Sequence, residues 1–180
     1  MATYECVDEM TIEATPPECF ESLMAEVAGH STWWEPFVVA RPRAQSWADD
    51  EGAGNYLKAK SEERQETALE TELRASAGGT TDRYWSTTRR SIQVTGIETN
   101  RRVVMKEVDG DFRGVEEWTF EPMDADRTLV RVHWLTQPHG RMRLKSLLGG
   151  VVDDHSLIVR EGFRGMERHI WERRRMHRHG

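Results

Sequence analysis

Arginine, glutamate and histidine side chains are the candidates for chemistry in this chain, and period-two alternation decides which can share an interior. Glu116 precedes Trp118 and Phe120 by two and four residues, so in a strand all three take one face. Arg90 stands in the same relation to Ile92 and Val94. If those faces point inward, a carboxylate and a guanidinium enter an apolar interior, where removing one partner of a pair costs about 3–5 kcal/mol. Paired with each other, or aimed at a ligand's polar group, Arg90 and Glu116 would orient that ligand. A strand end or bulge would instead turn one of them to solvent.

The histidines read differently. His133 lies between Val132 and Trp134 and faces away from them unless a bulge intervenes. His155 and His169 lie fourteen residues apart on one predicted helix, too far along its axis to share a ligand, and read as partly exposed structural residues. A general acid or base needs hydrogen-bond reach and a tuned pKa, so no residue is assigned a catalytic role. His177 and His179 lack a third ligand, and no HExxH, cysteine pair or glycine-rich phosphate loop occurs; neither metal nor cofactor is expected. Cys6 and Cys19 are too few for a disulfide scaffold.

Composition excludes other classes. The 180 residues carry a formal charge of −6, with 31% charged and 37% hydrophobic residues. The sequence pI is about 5.7 and the mean hydropathy −0.71. That balance disfavours nucleic acid, whose phosphates demand a cationic footprint. The arginines from Arg160 to Arg178 alternate with Glu161, Glu167 and Glu172, as on a solvated helix face. The opening MATYECVDEM has no apolar core of a signal peptide, and no stretch reaches the ~20 apolar residues of a membrane span. A cytoplasmic protein without stable membrane insertion is expected.

The elements that must position these residues follow in order. Tyr4, Cys6, Met10 and Ile12 alternate with Glu5, Glu9 and Glu13, which predicts a half-buried strand. Thr15-Pro16-Pro17-Glu18 is a capping box that opens a helix with Phe20, Leu23, Met24 and Val27 inward. A second short helical turn is predicted over His30–Trp34, stopped before Pro36. Strands are expected at Phe37–Ala40 and Ala53–Lys58. Residues 59–81 form a polar insertion or extended hairpin that suits helix and exposed strand equally, with only Leu69 and Leu73 to bury.

Strands then recur at 83–97, 102–108, 112–121 and 128–137, joined by short turns. The connector 138–150 should pack Met142, Leu144, Leu147 and Leu148 under a long final helix. That helix, from about Asp153 to His177, aligns Val159, Phe163, Met166 and Ile170 on one face. The expected fold is a single α+β domain over residues 1–180: a helix-grip arrangement in which a curved antiparallel sheet of about seven strands wraps the C-terminal helix. Two short helices follow its first strand.

Three motifs, in this order, carry a resemblance: IEATPPECFESL (12–23), TWWEP (32–36), and GDFRGVEEWTFEP (110–122) followed by DRTLVRVHW (126–134). The sequence resembles the START-related, or polyketide cyclase/dehydrase-like (SRPBCC), superfamily. The resemblance implies a cavity between sheet and C-terminal helix that holds a hydrophobic small molecule such as a lipid, polyketide or aromatic compound. It places Trp34 at the cavity, with Trp118, Phe120, Phe163 and Met166 as apolar walls and Arg90 and Glu116 as orienting groups. The superfamily lacks a universal catalytic motif. A polyketide cyclase or dehydratase, with Glu116 or a histidine moving the proton, is the second reading. A protein-interaction or chaperone-activating module is the third.

Overall fold

The computed structural model describes residues 3–35, 37–42, 70–77 and 86–178. The predicted strand at 53–58, and Trp47 and Trp85, lie outside them.

The first strand, β1 (Tyr4–Ile12), follows its alternation and leads into helix α1 (Pro16–Val27). Glu18 closes the predicted capping box: its carboxylate accepts from the Thr15 backbone N–H at 2.9 Å and from the Thr15 hydroxyl at 2.8 Å. The second short helix does not form. Buried Glu26 instead accepts the Ser31 hydroxyl (2.8 Å) and the Trp33 N–H (3.0 Å), and the chain after α1 folds into hydrogen-bonded turns. One carboxylate thus satisfies donors that a helical turn of this length would leave open.

β2 (Val38–Pro42) pairs with β3 (Glu70–Ala77), so this part of the ambiguous insertion is extended. The meander continues through β4 (Ser86–Glu98), β5 (Arg102–Gly110), β6 (Phe112–Pro122) and β7 (Thr128–Pro138). All neighbours are antiparallel, in the order β1-β7-β6-β5-β4-β3-β2, and the sheet stays open. The even sheet of about seven strands expected from the sequence resolves into two parts. Five strands of nine to thirteen residues, β1 and β4–β7, form its body, and the shorter β3 and β2 extend the β4 edge.

The connector carries helix α2 (Met142–Lys145) and a 3₁₀ turn over 146–148. Its packing departs from expectation: Met142 is buried, but Leu144 and Leu147 are 75% and 79% exposed. The last helix, α3 (Val151–Arg178), starts two residues before Asp153, which puts Asp153 and Asp154 in its first turn, where acids suit the helix dipole. Val159, Phe163, Met166 and Ile170 are all buried, as their spacing predicts. Trp171 is not: it lies on the opposite face, 56% exposed, with Arg175 over its ring.

Two glycines bring α3 close to the turn after α1. A Cβ on Gly165 would sit 2.1 Å from the Trp33 carbonyl oxygen, and one on Gly162 would sit 2.6 Å from the Trp34 indole. The Nε1 edge of Trp34 therefore comes against the helix, and Nε1 donates to the Ile158 carbonyl at 2.9 Å.

Candidate functional site

Alternation along β4, β5 and β6 delivers three charged side chains to the interior. Arg90, on β4, donates from Nη1 to Glu107 Oε1 on β5 and to Glu116 Oε2 on β6, each at 3.0 Å. None of the three side chains is more than 3% exposed. The predicted inward pair thus forms and gains a third member. The bulge that could have turned Arg90 outward does occur, where the pairing shifts between Ser91 and Ile92. The extra residue lies on β5, so Arg90 keeps its face and Glu107 comes opposite Ile92.

Each carboxylate oxygen of the pair accepts at least one hydrogen bond. Trp118 Nε1 donates to Glu116 Oε1 at 2.8 Å, Trp134 Nε1 to Glu107 Oε1 at 3.2 Å, and the Thr136 hydroxyl to Glu107 Oε2 at 2.5 Å. Burial alone would lower the Arg90 pKa, but the charges of Glu116 and Glu107 outweigh it and the guanidinium is held cationic. One cation facing two carboxylates leaves the group formally negative.

His155, from the first turns of α3, completes the cluster. Its ring stacks on Trp134 with centroids 3.8 Å apart and planes 16° apart. It is 6% exposed, and its Nε2 is buried without a hydrogen-bond partner. This corrects the expectation of a partly exposed histidine: four residues before Val159, His155 lies on the helix face that packs against the sheet. Burial, and then the Arg90 charge, push its pKa well below the usual 6.5, so the ring is neutral near pH 7. Beside it, buried Asp8 accepts from the Ser156 hydroxyl (2.7 Å) and Arg160 Nε (3.2 Å). Burial first, then Asp8, push the Cys6 thiol up to about 11, so it is no ready nucleophile.

Trp34, Trp118, Phe120, Phe163 and Met166 gather nearby, each 3% exposed or less. Trp118 meets Trp34 and Phe163 edge-on at 5.6 and 5.8 Å, and Trp34 stacks on Trp33 at 5.4 Å. Trp118 joins the two groups, since its ring belongs to the aromatic set and its Nε1 ends on Glu116. His133 faces outward as predicted, 2.9 Å from Glu5 Oε1, and His169 is half-buried and far along α3.

Sequence reading assigns none of Glu107, Thr136, Asp8 and His155 to the site. All four were within its reach. Glu107 alternates with Val103 and Met105, Thr136 with Val132 and Trp134, and Asp8 with Cys6 and Met10. His155 stands four residues before Val159, one turn earlier on the same helix face.

Sheet order, the long closing helix and full-length correspondence with solved structures settle the architecture. The fold is one shared with solved structures of a START superfamily protein and an aromatase/cyclase. The Zhui aromatase/cyclase from Streptomyces sp. R1128 superposes with a TM-score of 0.64 at 12% identity, covering 96% of each chain. A Thermus thermophilus protein gives 0.61 at 17% identity, over 94% of this chain and 98% of its own. A START superfamily protein from Mycobacterium smegmatis gives 0.57 at 11%, over 93% and 97%. No protein-family model and no curated protein matches the sequence. Within the START-related frame, the Arg90 cluster sits on the inner face of the sheet under the first turns of α3. Among the described residues no helix is long and apolar enough to cross a membrane.

Proposed function

We propose that the protein binds a hydrophobic, ring-bearing small molecule between sheet and α3, with Trp34, Trp118, Phe120, Phe163 and Met166 against its apolar body. Arg90 and Glu116 orient its polar group. The observation that carries this reading is His155: a neutral imidazole with an unpartnered buried Nε2, beside a buried guanidinium and two carboxylates. A core built only for stability has no use for an unsatisfied ring nitrogen, which costs about 1–3 kcal/mol. A ligand hydroxyl, carbonyl or amine would satisfy it. The similarity to an aromatase/cyclase and to a START protein is compatible with such a ligand but names none.

Native mass spectrometry of the purified protein, followed by denaturing extraction, tests the proposal directly. A retained apolar molecule is expected. An empty protein that also gains no thermal stability from a panel of lipids, quinones and polyketides would overturn it. His155→Phe should weaken ligand binding at least about ten-fold while leaving stability unchanged or raised, because it removes an orphaned polar atom. Equal affinity in the variant would remove His155 from the site.

The cluster also gives weight to the cyclase or dehydratase reading. A neutral imidazole and a carboxylate within one dry interior are the groups that proton transfer requires. Glu116→Gln separates the two readings: an enzyme loses turnover while keeping its ligand, whereas a carrier has no turnover to lose.

A further inference from the structure

The start of α3 is held differently from the rest of the helix. From Ile158 onward it packs into the main core through Val159, Phe163, Met166 and Ile170. Residues 151–157 rest instead on a small separate cluster of Phe112, Trp134 and Met142, which Val151 touches. In that stretch His155 is the one buried residue, and Asp153, Asp154 and Leu157 are exposed. Gly149 and Gly150 lead into it at positive φ (82° and 83°), with open space where each Cβ would stand. A segment with few buried apolar contacts, behind an unpacked joint, opens at lower cost than the whole domain.

Three contacts close these first two turns over the Arg90 cluster. His155 stacks on Trp134, the Ser156 hydroxyl donates to Asp8 at 2.7 Å, and Arg160 Nε donates to Asp8 at 3.2 Å. The buried anchor is itself titratable. Around it the sheet presents Asp8 on β1, Arg90 on β4, Glu107 on β5 and Glu116 on β6. The inward Trp134 and Thr136 of β7 and Met142 of α2 carry no charge. On α3, Asp153 and Asp154 precede the ring and Arg160 follows it. Asp8 is engaged by Ser156 and Arg160, and both glutamates are engaged by Arg90 and by indole or hydroxyl donors. Nε2 of His155 has no partner among the described residues, and burial and the Arg90 charge both oppose a proton there.

We propose that protonation of His155 opens the first two turns of α3 and uncovers the site beneath, so that neutral pH retains the ligand and acid releases it. The gating role rests on the ligand reading above; the opening does not. In the open state the ring is hydrated and regains its ordinary pKa of about 6.5. The open state therefore binds the proton first, and falling pH favours it about ten-fold per unit below 6.5.

Hydrogen-exchange mass spectrometry of the ligand-free full chain tests the opening, with rates corrected for the intrinsic pH dependence of amide exchange. From about pH 7.5 to about pH 5.0 the protection of residues 151–157 should fall about thirty-fold, while that of residues 163–175 holds. His155→Phe should keep its protection constant over the same range. Asp8→Asn, which loosens the latch without touching the ring, should lower protection at about pH 7.5 and keep the wild-type slope below it. Constant protection in the wild type, a fall shared by residues 163–175, or an equal fall in His155→Phe overturns the switch, whatever a ligand assay gives. A protein that opens in acid yet retains no molecule at neutral pH overturns the ligand reading and leaves the switch standing.

Discussion

The interior holds two regions that share Trp118 and differ in everything else. Toward α1 and the middle of α3, Trp33, Trp34, Phe163 and Met166 interlock, with buried Glu26 bound to the Trp33 N–H at one side, and two glycines let the backbones touch. Toward the start of α3, Arg90, Glu107 and Glu116 are equally buried, with Trp134, Thr136 and His155 around them. The first region has the character of a stability core: shape complementarity in which each ring finds an edge or a face. The second lowers stability, since a buried ion triad rarely outperforms apolar packing of the same volume. On the proposed reading, the polar region orients the ligand's polar group and the aromatic region packs against its apolar body.

The largest effect that would test this contrast is loss of the central cation. Arg90→Met should cost about 3–5 kcal/mol in urea unfolding, because it strands two buried carboxylates. Adding Glu107→Gln and Glu116→Gln keeps acceptors for the indole and hydroxyl donors and should recover most of the loss. If Arg90→Met alone is tolerated, water must reach the cluster and the two regions are less distinct than their burial indicates.

In the aromatic region the corresponding probe is Gly165→Ala, whose Cβ would meet the Trp33 carbonyl. A loss of about 1–3 kcal/mol is expected, with a fall in ligand affinity because Trp33 stacks on Trp34. Unchanged affinity would remove the aromatic region from the site.

The smallest effect is one of pH and lies at the outer end of the aromatic region. The Arg174 guanidinium, joined by the Thr15 backbone and hydroxyl, holds the Glu18 carboxyl at about 2, below its ordinary 4.5. The unfolded chain therefore binds the proton first. The increment from Glu18 is fully present above pH 4.5 and is lost as pH falls toward about 2. His155 acts in the same direction from higher pH, because its depressed pKa makes acid favour the unfolded chain below 6.5. Glu18→Gln should flatten only the lower part of the stability–pH curve, by about 1 kcal/mol or less given its partial exposure. His155→Phe should flatten only the upper part.

The strand meander was legible because each strand has one wet face. Glu117 and Thr119 lie between Glu116, Trp118 and Phe120, so burial follows from spacing once one residue is known to be inside. The capping box and the α3 stripe were legible for the same local reason. The second helix after β1 was not, because its failure depends on Glu26 reaching Ser31 and Trp33, a contact that no periodicity encodes. Leu144 and Leu147 misled for the opposite reason: hydrophobicity marks a residue as suited to burial without supplying a partner.

By itself the sequence determined the meander from β4 to β7, the capped start of α1, the inward faces of β4 and β6, and the stripe of α3. All of these depend on residues within a turn or a strand of one another. Tertiary structure alone decided that Arg90 meets Glu107 as well as Glu116, that His155 lands on Trp134, and that the Trp34 indole comes against Gly162. These contacts join residues far apart in the chain, and their partners are selected by strand order, a one-residue bulge and the angle at which α3 crosses the sheet. Local spacing can place a charge inside, but only the assembled sheet and helix can say what it faces.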